Sequence, residues 1–96
     1  MQIIRFDKVD TLAKIDLQAP IFKGAIAEAN RRGLREVECT EDLPVLEKFM
    51  RIKDMFYVGR DGWHSTSIRV TIRNGCSWSD VEPRLRRLID SLPAAR

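Results

Sequence analysis

The chain has 96 residues, of which 44 % are hydrophobic and 32 % charged, and its 17 basic and 14 acidic side chains leave a net charge of +3. This balance excludes a disordered chain and predicts one compact domain, 1–96, with a single modest core. The longest unbroken apolar run, Met55-Phe56-Tyr57-Val58, is far shorter than a membrane span.

Charge is uneven along the chain. Residues 1–48 hold 8 basic and 9 acidic side chains, and residues 49–96 hold 9 and 5. The second half therefore leans, mildly, towards a polyanionic partner. Arg5, Asp7 and Lys8 fall where an export signal needs apolar residues. With Cys39 and Cys76 far apart and no export signal, the expectation is a cytoplasmic protein with reduced thiols.

Residues 2–6 read as a short strand, with Ile4 and Phe6 on one face and Ile3 and Arg5 on the other. Asp10 suits an N-cap, which predicts a helix over 11–17 with Leu12, Ile15 and Leu17 as its inward candidates. Pro20 either starts a second helix or kinks a longer one. Ile21, Phe22, Ala25, Ile26 and Ala29 form a stripe at helical spacing. They predict a helix over 20–32, closed by Arg31, Arg32 and a left-handed Gly33. Residues 34–39 alternate as a strand, with Glu36 and Glu38 outward. Thr40-Glu41-Asp42 opens the next helix, whose inward stripe is Leu43, Leu46, Phe49 and Met50. It ends before Asp54, although Ile52 and Met55 continue the same stripe.

The hairpin at 55–73 organises the rest. Asp61-Gly62 lies between two runs rich in aromatic and β-branched residues, the pattern of a two-residue turn. That turn sets Arg60 opposite Trp63, Met55 opposite Ile68 and Asp54 opposite Arg69. Met55, Tyr57, His64, Thr66, Ile68, Val70 and Ile72 then face the core. Phe56, Val58, Arg60, Trp63, Ser65, Ser67, Arg69, Thr71 and Arg73 share the other face. Whether a helix covers that face is open. Gly59 is where a bulge would change the sorting. Asn74-Gly75 makes a second turn. Ser79 and Glu82 have capping-box spacing for a last helix with Val81, Leu85, Leu88, Ile89 and Leu92 inward. The expected order is β-α-β-α-β-β-α, an α+β two-layer fold with a mixed sheet of about four strands and helices packed on it.

Few residues point to chemistry. His64 and Ser65 sit on opposite faces of a regular strand, so they form no dyad, and an enzyme centred on His64 ranks third among the functions considered. One histidine and two distant cysteines predict no metal site. The glycines stand singly, so no cofactor is expected. The stretch 64–92 resembles the closing strand and helix of the small domain in fold-type-I pyridoxal-phosphate enzymes. The resemblance includes nothing of their large cofactor domain and carries over no residue role.

The mixed outer face carries the functional expectation. Phe56, Val58, Arg60, Trp63, Arg69 and Arg73 combine aromatic, aliphatic and arginine side chains, the types that dominate protein interfaces. The first reading is a small binding or accessory protein acting through this surface on a protein partner or as a homodimer. The alternative is nucleic-acid binding, with arginines on phosphates and aromatics stacked on bases.

Overall fold

The computed structural model describes residues 1–62 and 66–95. The strands are β1 (Ile3–Val9), β2 (Leu12–Leu17), β3 (Ala27–Asn30), β4 (Arg35–Val37), β5 (Met55–Arg60) and β6 (Ser67–Ile72). Helix α1 (Leu43–Met50) lies between β4 and β5, after a single 3-10 turn (Thr40–Asp42), and α2 (Trp78–Ser91) follows β6. The sheet order is β1-β2-β6-β5-β3-β4, and every neighbouring pair is antiparallel. The architecture is α+β, but the expected mixed sheet of four strands is corrected to an antiparallel sheet of six.

The two early helices of the sequence reading are strands and loop. In residues 12–17 every second side chain, Ala13, Ile15 and Leu17, is buried, while Leu12 and Lys14 are exposed. Period two accounts for all six residues, whereas the helical reading placed the exposed Leu12 inward and left the buried Ala13 unexplained. Asp10 adopts φ 54°, so it turns the chain between β1 and β2 instead of capping a helix. At 20–26 the backbone donors are claimed by another segment. The buried Asp42 carboxylate accepts from the amides of Lys23 at 2.7 Å and Gly24 at 2.8 Å, and Glu38 accepts from that of Ala25 at 2.7 Å. A Cβ on Gly24 would stand 3.0 Å from the Cys39 nitrogen, so the two segments touch because the residue is glycine. Ala27 and Ala29 then alternate inward along β3.

The hairpin exists, but its register differs. Val58 pairs with Val70, Gly59 with Arg69 and Arg60 with Ile68. The Asp61 amide bonds the Ser67 carbonyl at 3.0 Å, so the connection is longer than Asp61-Gly62. Met55 lies opposite Ile72 rather than Ile68, and the ladder slips between Met55 and Tyr57. This bulge, at Phe56 and not at Gly59, reverses the facing of the rest of β5. Tyr57 and Gly59 turn away from the core and Val58 turns into it. The backbone of Asp54 pairs with Arg73, not Arg69. Burial of Ile68, Val70 and Ile72 beside Ala13 and Ile15 of β2 selects this register over the tightest turn.

Both helices lie on one face of the sheet. Leu46 and Phe49 of α1 and Val81, Leu85 and Ile89 of α2 join the sheet's inward residues in one core cluster. Each such aliphatic or aromatic side chain stabilises the fold by about 1.5–3 kcal/mol on burial. Ser77, not Ser79, caps α2, its Oγ accepting from the Ser79 amide at 3.2 Å. Glu82 leaves the expected capping box to accept from Lys8 at 2.6 Å and Arg86 at 2.9 Å.

Candidate functional site

The second face of the sheet carries no helix among the described residues, and the registers arrange its side chains in rows. One row runs Val9, Leu12, Thr71, Tyr57 and Asn30 across five strands. The next runs Asp7, Lys14, Arg69, Gly59, Glu28 and Glu36. A third holds Arg5, Asp16 and Ser67. The first row is apolar at one end, where Val9 is 68 % and Leu12 39 % exposed. The other two are charged.

The charged rows are largely self-paired. Asp61 accepts from Arg69 at 3.0 Å and stands 3.6 Å from Lys14; Arg5 and Asp7 pair at 2.7 Å. Ser67 donates to Asp16. Carboxylates outnumber cations here: Asp7, Asp16, Glu28, Glu36 and Asp61 against Arg5, Lys14 and Arg69. Glu28 and Glu36 stand directly opposite each other on β3 and β4, a like-charge arrangement that destabilises an isolated sheet.

Tyr57 organises the middle of this face. Its ring lies over Gly59, where an added Cβ would overlap the phenol oxygen. The aromatic ring thereby covers a strand position that has no side chain. Its hydroxyl donates to Glu28 at 3.0 Å. Burial first, and then the hydrogen bond and charge of Glu28, push the phenol up to about 12. A depression of about 300 Å³ opens beside it, lined by Glu28, Asn30, Leu34, Glu36 and Tyr57 among others.

The six residues expected to form one surface are separated. Val58 is fully buried, which corrects its assignment to the outer face, because the bulge at Phe56 inverts the strand after it. Arg60 follows Val58 to the core side, and its Nη1 donates to the Gly24 carbonyl at 2.7 Å. Arg69 does lie on the open face, held by Asp61. Phe56, 37 % exposed, and Arg73 come together at the sheet's end, where they line a depression of about 290 Å³. Trp63 and His64 lie outside the described residues.

No protein-family model, curated protein or solved structure matches this chain. The geometry therefore carries the functional argument alone. Sequence reasoning missed Val9, Leu12, Lys14, Glu28 and Tyr57 as surface residues. The signal for Leu12 and Lys14 was the strict alternation of 12–17. For Tyr57 there was none, since the bulge that turns it outward is set by pairing with β6. Among the described residues no three His, Cys, Asp or Glu side chains are placed to hold a metal, and no helix is long and apolar enough to cross a membrane. Cys39 and Cys76 are unpaired. Partial burial, followed by a hydrogen bond to Asp54, pushes the Cys76 thiol up, so it stays protonated near neutral pH.

Proposed function

We propose that the protein is a cytoplasmic binding module that docks a protein partner on the open face of its sheet. The observation that carries this reading is the exposed apolar row of Val9 and Leu12 on a sheet face that carries no helix among the described residues. A face meant only for solvent would not concentrate aliphatic side chains at one end. The excess of carboxylates, and the opposed Glu28 and Glu36, give the partner's chemistry: an apolar strip flanked by lysine or arginine. The same excess disfavours nucleic acid on this face, because every cation in its rows already has a carboxylate within reach. The two unpaired thiols support the compartment.

A photo-crosslinking side chain placed at Leu12 tests the docking face, with the same group at the exposed Arg84 of α2 as control. The expected result is a discrete adduct from position 12 and none from position 84, with the position-12 adduct lost when Glu28 and Glu36 are both changed to lysine. Adducts from position 84 alone would refute the assignment. An adduct of twice the chain's mass would identify the partner as a second copy.

A further inference from the structure

The cations absent from the open face gather at one end of the sheet. The registers bring four connections together there: the β1–β2 turn, the β3–β4 turn, the α1–β5 link and the β6–α2 link. Backbone bonds knit them, from Ile72 to Thr11 at 2.9 Å, from Arg73 to Asp54 at 2.9 Å and from Arg31 to Phe56 at 2.8 Å. Arg31, Arg32, Arg51, Lys53 and Arg73 all project from these connections and are exposed. Against them stand Asp10, Asp54 and, in the first turn of α2, Asp80. None of the five cations has a carboxylate within 4.0 Å among the described residues. That is the reverse of the open face, where all three cations are paired.

Phe56 sits in the middle of this cluster. The bulge pushes its ring out of the sheet, with Arg31 on the β3 side and Arg73 on the β6 side. The Arg31 guanidinium is steadied by a 3.0 Å bond to the Met55 carbonyl. The depression beside the ring is lined by Phe56, Thr71, Ile72, Arg73 and Asn74. It thus offers an aromatic edge, a cation and an amide that both donates and accepts.

From this juxtaposition we infer that the Phe56 end binds a short stretch of single-stranded nucleic acid. A base stacks on Phe56 with its edge towards the Asn74 amide, and Arg73, Arg32 and Lys53 hold the flanking phosphates. Stacking on one ring demands an unstacked base, so a single strand fits and a duplex does not. This site is separate from the docking face, and either can fail without the other.

The test is fluorescence anisotropy of the whole chain with a labelled single-stranded decanucleotide, at roughly 50 and 200 mM salt. Saturable binding that weakens steeply with salt is expected. Phe56→Ala should weaken it about tenfold. Arg73→Ala and Arg32→Ala should each lower the salt slope by about 0.7. The open-face variant Lys14→Ala should leave it unchanged. Three results would overturn the inference. One is no saturation at the lower salt. Another is equal loss in Lys14→Ala and Arg73→Ala. The third is binding of a polyglutamate peptide or a duplex at least as tight as that of the single strand.

Discussion

The chain has one tyrosine, so ionisation of Tyr57 can be followed directly by the near-ultraviolet absorbance of tyrosinate. The fold pushes this phenol from 10.0 to about 12. At pH 10 an unfolded chain therefore has about half of its tyrosine ionised, and the folded chain about 1 %. The sign for stability follows. A folded value above the unfolded one favours the neutral phenol, so its contribution is complete below pH 10. It is lost as pH rises from 10 through 12. Glu28→Gln removes the charge that lies 3.0 Å from the hydroxyl but leaves the burial, which is the larger cause. The variant's phenol should titrate below 12 and above 10. Absorbance at pH 10, with and without denaturant, reads all three states, and circular dichroism confirms that the sheet persists. Half-ionised tyrosine in the folded wild type would refute the placement of Tyr57 beside Glu28 over Gly59.

Three further outcomes are expected. Val58→Ala should lower unfolding free energy by about 2 kcal/mol in a denaturant titration, because the side chain is wholly buried, while Phe56→Ala should cost less than about 1 kcal/mol. Asp42→Ala should destabilise by about 2–4 kcal/mol, since it strands the amides of Lys23 and Gly24; an unchanged denaturation midpoint would show that loop 18–26 is held by other contacts. The hydrogen bond from Lys8, ahead of that from Arg86, holds the Glu82 carboxyl below the usual carboxylate range. The stability it contributes is present above the unfolded value near 4.3 and is lost as pH falls through the folded value. Lys8→Met should therefore lower stability by under about 1 kcal/mol at pH 7, with the difference from wild type vanishing once pH has fallen through the folded value.

Local signals located the second half of the chain well. The helix before Asp54, the first strand of the hairpin, the turn at Asn74-Gly75 and the last helix stand where hydrophobic periodicity and turn chemistry placed them, while the second hairpin strand, expected over 63–73, is described at Ser67–Ile72 in another register. The inward set Ile68, Val70 and Ile72 was legible because period two is a property of the strand alone. In the first half the strands read at 2–6 and 34–39 and the left-handed Gly33 also stand, but the helices expected over 11–17 and 20–32 do not. In 20–32 a helical stripe and a loop followed by a strand share the same apolar residues. What separates them is the carboxylate of Asp42, nearly twenty residues on, taking the amides a helix would need.

The candidate sites divide in the same way. The sequence by itself determined which residue types were at hand: aromatics in the hairpin, a surplus of arginine in the second half and alternating strands. Only the tertiary structure decided which of them meet. Closing β6 against β2 set the hairpin register. The register required a bulge at Phe56, and the bulge sent Val58 into the core, Tyr57 onto the open face and Phe56 towards Arg73. A side chain's facing depends on how its strand pairs, and pairing is settled by apolar surface buried across the whole sheet, which no window of neighbouring residues contains.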